Sequence, residues 1–262
     1  MSLLEAIVSG LIQGITEFLP VSSSGHLLLI HELFGLESES LSFDVAVHVA
    51  TLGAVVWVLR KEVIDILRVL FSKKLFSSLG LKIAVATIPA GIVGFILSDN
   101  AVALLRTTQV VAISFIVWGI ALYMADLFVM RRRHLIARIE KISWLRAIVI
   151  GLAQAIALIP GTSRSGITMT AGMFMSIDRE RAARFSFLLS IPAILGAGVL
   201  TTFDAIDAGL DVSIIALIVG CIVAFMSGIF AIKFLLEFLK KGNFFYFCVY
   251  RVIFGVILLI VL

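Results

Sequence analysis

The chain has 262 residues, 61% of them apolar and 15% charged, with a net charge of +4. Soluble domains carry roughly 45–50% apolar and 25% charged residues. The mean hydropathy here is +1.16, so a water-soluble enzyme, a disordered protein and a disulfide scaffold are excluded, and the chain reads as an integral membrane protein. In so apolar a sequence the surplus Lys and Arg orient spans and bind no nucleic acid, and Cys221 and Cys248, both within apolar runs, read as packed thiols.

The opening MSLLEAIVSG carries no Lys or Arg, so a cleavable signal peptide is not expected and the mature protein is expected to begin where the gene does. Residues 6 to 31 are apolar but broken by Glu17, Pro20, Ser22, Ser23, Ser24 and Gly25. Spans are then expected at Val45 to Leu59, Ile83 to Ser98 and Thr107 to Ala125. A second broken stretch, residues 147 to 177, is interrupted by Pro160, Gly161, Ser163, Arg164, Ser165 and Gly166, and spans follow at Phe185 to Phe203, Val212 to Ile232 and Phe244 to Leu262. Each half of a broken stretch is too short to cross alone, so each is expected as a re-entrant helix-loop-helix hairpin, because irregular backbone at membrane depth must be buried in protein or line a cavity.

The two broken stretches are related. At an offset of 141, Gly10, Leu11, Gln13, Ile15, Ser22, Ser24 and Gly25 match Gly151, Leu152, Gln154, Ile156, Ser163, Ser165 and Gly166. The expected fold is an all-α polytopic membrane domain of six transmembrane helices and two re-entrant hairpins, built as an inverted repeat of residues 1 to 130 and 131 to 262. Charge agrees: linkers 60 to 82, 130 to 146, 178 to 184 and 233 to 241 hold 18 of the 21 Lys and Arg and are assigned to the cytoplasm. Arg106 falls in an outside loop with Glu37, Glu39, Asp99, Asp204, Asp207 and Asp211 on the same side, while Arg164 and Arg251 lie at membrane depth.

Chemistry concentrates at the hairpin tips, QGITEFLPVSSSGH at 13 to 26 and PGTSRSGIT at 160 to 168. Ionisable groups at membrane depth are expensive and mark a site by default. The second tip reads as an anion receptor, in which a Ser/Gly turn opening a helix aims N–H groups and hydroxyls at one point and Arg164 adds a donor fork suited to phosphate. The first tip supplies reactive types: Ser23 as a nucleophile, His26 as a proton-exchanging group, and Glu17 to orient that imidazole or hold a divalent cation.

These strings resemble the undecaprenyl-diphosphate phosphatase family of the bacitracin-resistance type, whose members carry a Glu-or-Gln, three residues, Glu motif leading into Leu-Pro-Val-Ser-Ser-x-Gly-His, and a second Pro-Gly-x-Ser-Arg-Ser-x-x-Thr motif. The likeness covers the whole chain. It implies an enzyme of the cell membrane, open to the external side, that removes the terminal phosphate of a C55 polyprenyl diphosphate, recycles the carrier for cell-wall polymers and confers bacitracin resistance. By the resemblance, Glu17, Ser23, His26 and Arg164 are catalytic. Gln13, Ser22, Ser24, Gly161, Thr162, Ser163, Ser165, Gly166 and Thr168 contact substrate, and Mg²⁺ or Ca²⁺ on Glu17 is the candidate cofactor, with no organic cofactor. Gln13 is the choice with one carboxylate fewer.

Attack by Ser23 and attack by water activated at Glu17 or His26 are both open. The competing class is a transporter or flippase of polyprenyl phosphate or another anion, because inverted repeats with broken helices also build secondary carriers; a homodimer is open as well. Other polar residues read as structural: Arg251 as a structural or interfacial arginine, Asp44 with His48 as a hydrogen bond within one helix, His31 and Glu32 as interfacial, residues 131 to 134 (RRRH) as an anchor for anionic headgroups, and Pro89 and Pro192 as kinks.

Overall fold

A computed structural model describes residues 1–23, 25–27, 41–70, 76, 78–97, 105, 107–132, 134–208 and 212–261, with side chains at all of these except 41, 70, 200–208 and 261. Ser24, His31, Glu32, Glu37, Glu39, Asp99, Arg106, Arg133 and Asp211, and the side chains of Asp204 and Asp207, therefore lie outside what is described. The described residues are helical without strands: α1 Leu3–Phe18, α2 Leu41–Val58, α3 Arg60–Leu70, α4 Leu79–Ile96, α5 Thr108–Met130, α6 Trp144–Ile156, α7 Arg164–Phe174, α8 Arg179–Ala208, α9 Ile214–Leu239 and α10 Phe245–Val261.

Helix starts are written locally. Ser2 and Glu5 form a reciprocal capping box, and Ser78, Thr107, Ser163 and Ser213 each accept a hydrogen bond from a first-turn N–H, satisfying donors that an apolar surrounding cannot. Polarity is inverted relative to a soluble protein. Gln13, Thr51, Asp126, Ser186, Ser190 and Arg251 are fully buried, while Phe95, Ile96, Ile215 and Ile260 stand exposed, the arrangement expected of a bundle surrounded by lipid.

Among the described residues, four helices are long and apolar enough to cross a membrane, or five if the pair α2 and α3, bent by 84°, counts as one broken span. The bend follows from sequence: Arg60, Lys61 and Glu62 end the apolar run after Leu59, and α3 continues as an amphipathic helix. The expected sixth span, α10, has 17 residues. The halves α1, α6 and α7 have 16, 13 and 11 residues, short of the roughly 20 a crossing requires. Pro89 and Pro192 lie inside α4 and α8.

The first half of each broken stretch packs against the other half of the chain: α1 lies along α9, and α6 along α4. Small residues at matched positions permit both approaches. A Cβ on Gly10 would meet the main chain of Gly220, and one on Gly151 the main chain of Ala86. Gly14, one turn before Phe18, is more confined still, because its Cβ would overlap Ser227 and reach Gly228 N at 2.9 Å. Gly14→Ala should therefore lower stability by about 1–3 kcal/mol through overpacking. Gly91→Ala, where a Cβ meets nothing within 4 Å, should not; thermal unfolding in detergent compares the two.

Candidate active site

The two tips share an unusual backbone. Ser22 and Ser163, matched at the repeat offset, both have φ of 71°, and Gly161 has φ of 83°. A left-handed serine costs on the order of 1 kcal/mol, and such strain persists where surrounding contacts over-determine it. The consequence is positional: the residue after each strained serine, Ser23 in one tip and Arg164 in the other, opens the second half-helix. These two residues meet on one carboxylate.

Glu17 is that hub. Its Oε1 accepts from Arg164 Nη2 at 2.9 Å, and its Oε2 accepts from Ser23 Oγ at 3.0 Å and from Gln13 Nε2 at 3.2 Å. His48 Nε2 stands 3.9 Å from Oε2. The Glu17 and Arg164 side chains are 9% and 15% exposed, so each charge compensates the other away from water. The second Arg164 amino group donates to the Ser186 carbonyl at 3.1 Å. Ser186 in turn is joined to Thr168 at 2.7 Å, and Thr168 donates to the Arg164 carbonyl at 2.8 Å. Ser163 Oγ accepts from Gly166 N at 3.1 Å and contacts Ser165 Oγ at 3.2 Å, while Ser165 donates to the Leu19 carbonyl at 3.0 Å, tying the second tip to the first.

Of the two roles expected for Glu17, orienting the His26 imidazole or holding a cation, the first is not what these contacts show. Nδ1 of His26 lies 2.7 Å from the Ser22 carbonyl and Nε2 is bonded to the Tyr250 hydroxyl, so both ring nitrogens are engaged away from Glu17. The imidazole that faces Glu17 is His48. Its Nδ1 is satisfied at 2.7 Å by the main-chain carbonyl of Asp44, four residues back, which turns Nε2 toward the carboxylate. The i, i+4 spacing was visible in the sequence, whereas its alignment with Glu17 depends on how α1 and α2 pack.

Arg251 joins the tips from behind. It is fully buried and donates to the carbonyls of Pro20 in the first tip, Gly161 and Thr162 in the second, and Ser114 and Phe115 of α5, at 2.9 to 3.3 Å. Gly119 makes room for it, since a Cβ there would lie 2.9 Å from Arg251 Cβ. The structural reading of this arginine thus acquires a specific content, a clamp on both loops.

A divalent cation at this site would rest on Glu17 and on oxygens of a bound phosphate. Glu17 already answers Arg164, Ser23 and Gln13, and among the described residues no three of His, Cys, Asp and Glu converge on one point. Gln13 Oε1 and Thr162 Oγ1 are buried without a partner among the described residues, leaving hydrogen-bonding capacity at the site.

Comparison with known proteins agrees with this arrangement of motifs. The family model for bacitracin resistance protein BacA matches residues 6–257. An undecaprenyl-diphosphatase of Alteromonas mediterranea is 45% identical over 99% of this chain and 98% of its own length. Undecaprenyl-diphosphatase 1 of Pseudoalteromonas translucida is 43% identical over 100% and 99%, and undecaprenyl-diphosphatase 2 of Stutzerimonas stutzeri 42% identical over 99% and 98%. With the match running almost from end to end, the chain belongs to the BacA family of bacitracin resistance proteins.

Proposed function

We propose that the protein is an undecaprenyl-diphosphatase that hydrolyses the terminal phosphate of a polyprenyl diphosphate at the Glu17, Ser23 and Arg164 constellation. The observation that carries this reading is one carboxylate accepting from a serine hydroxyl and from an arginine amino group at once. A receptor that only binds anions needs the arginine; it does not need a hydroxyl held against a base.

The geometry supports a division of labour. Ser23 Oγ attacks the terminal phosphorus as its proton passes to Glu17 Oε2, 3.0 Å away. The bond from phosphorus to the bridging oxygen breaks and the prenyl monophosphate leaves. Arg164 exchanges Glu17 for phosphate oxygens and, with N–H groups opening α7, balances their charge. Water then cleaves the phosphoserine, giving a proton to Nε2 of His26, and Ser23 recovers its own proton from Glu17. Water attacking directly, with Glu17 as base, uses the same groups; trapping a radiolabelled phosphoserine separates the routes.

The reading includes six spans with two re-entrant hairpins in the cell membrane, the site open to the external face and the prenyl tail among lipids. The shortness of α1, α6 and α7 and the placement of 18 of 21 basic residues in four linkers support it. In spheroplasts of a variant lacking Cys221 and Cys248, Ser2→Cys should react with an impermeant maleimide and Gly242→Cys should not; the reverse pattern overturns the orientation.

The activity test is phosphate release from undecaprenyl diphosphate by purified protein, beside Ser23→Ala and Arg164→Ala. Wild-type release that disappears in both variants is expected. No wild-type release with lipid still bound would overturn the reading in favour of transport.

A further inference from the structure

His26 stands apart from the cluster on Glu17, and its surroundings indicate how it is used. The Ser22 carbonyl can only accept, so Nδ1, 2.7 Å away, carries the proton and the neutral ring presents Nε2 as a lone pair. Tyr250 fills that position with its O–H. The two rings are stacked within 3° of parallel with centroids 5.7 Å apart, so the phenol holds the imidazole plane as well as its Nε2. Phe254 stacks on the same imidazole at 4.7 Å and Phe115 approaches it at 5.8 Å. The residue after Tyr250 is Arg251, so one turn of α10 both clamps the tips and grips the imidazole.

Resting on the phosphatase reading above, we propose that Tyr250 is a positioning residue for the reaction: its hydroxyl fixes the ring plane of His26 and keeps Nε2 presented as the acceptor on the partly open side of the site. Tyr250 does not itself touch the reacting phosphorus. Tyr250 is 41% exposed, so a water molecule that reaches the ring displaces the hydroxyl and meets an imidazole already oriented. Ser22 sets the tautomer and Tyr250 sets the direction.

Three measurements on the full-length protein in detergent test this. Tyr250→Phe keeps the ring stacking and removes only the O–H; it should lower kcat by roughly ten- to a hundredfold, as small misplacements of a catalytic group do, with KM changed less than about twofold. In a His26→Gln background the same substitution should cost nothing further, because Tyr250 acts through His26. With ¹⁵N-labelled histidine, the Nε2 resonance of His26 should move downfield in Tyr250→Phe as its hydrogen bond is lost, while Nδ1 stays protonated on Ser22. Wild-type kcat in Tyr250→Phe, an equal loss with and without His26, or an unmoved Nε2 resonance would overturn the proposal. Full activity in Ser23→Ala and Arg164→Ala would overturn the underlying site reading and this proposal with it, whereas inactive Ser23 and Arg164 variants beside additive Tyr250 and His26 effects would remove the Tyr250 role alone.

Discussion

Replacing Arg251 by Lys should reduce phosphate release at least a hundredfold although the charge is kept, and Arg251→Met should abolish it and lower the thermal midpoint as well. The guanidinium serves carbonyls on three segments at once, Pro20, Gly161 with Thr162, and Ser114 with Phe115. A lysine ammonium is a single point with three donors and cannot span them. Each carbonyl left without a donor in a buried, water-poor place costs about 1–3 kcal/mol, and the loops would relax before bearing that cost. Relaxation matters because Pro20 and Gly161 lie within three residues of Ser23 and Arg164, and a displacement near 1 Å costs on the order of a hundredfold in rate. Steady-state kinetics and thermal unfolding of both variants check the point; a Lys variant with wild-type turnover would show that the tips hold their separation without the clamp.

The two broken stretches were legible because their signals are local. A proline, a serine run and glycines inside an otherwise apolar stretch announce broken backbone at membrane depth, and charged residues there mark a site. Glu17, Ser23 and Arg164 could thus be named from the sequence, and they converge. Partners brought in by distant helices were not legible. Tyr250 is 224 residues from His26, and Arg251 is 231 residues from Pro20; no periodicity couples such positions. Arg251 did carry a signal, a lone charge in an apolar run, and only packing shows that it faces the loops and not the membrane surface. The number of spans was legible only in part for a related reason: uncharged length marks where a helix can cross, whereas the 84° turn after α2 depends on the amphipathic character of α3.

The two matched tips carry different chemistry on a similar backbone. Ser23 and Arg164 occupy the same position of the repeat, each following a serine with φ of 71°. Glu17 corresponds to Leu158 and His26 to Ile167, so one tip carries the carboxylate, the serine and the histidine that the proposed reaction uses and the other carries the arginine. Had both tips kept a carboxylate, the buried charges would repel each other and the incoming diphosphate. With one carboxylate against one guanidinium each charge answers the other, and on the proposed reading substrate binding turns on the exchange of partners at Arg164.

That exchange makes Glu17→Gln and Arg164→Ala separable in their effects. Glu17→Gln should lower kcat by about 10²–10⁴, the usual contribution of a general base, yet leave affinity for the lipid diphosphate equal or tighter, because Arg164 no longer has a carboxylate to give up. Arg164→Ala should lose both rate and affinity, since the diphosphate then meets Glu17 with no cation between them. Each single variant leaves one ionised group of a largely buried pair unmatched, a cost of about 3–5 kcal/mol, so both should unfold at lower temperature. In Glu17→Gln that loss should be regained when substrate or inorganic phosphate is added, as ligand binding to the folded state requires. Binding of a non-hydrolysable diphosphate analogue, measured beside kcat, decides the matter. Affinity falling in step with kcat in Glu17→Gln would mean that Glu17 holds substrate, and the assignment of Glu17 as the base at Ser23 would fail.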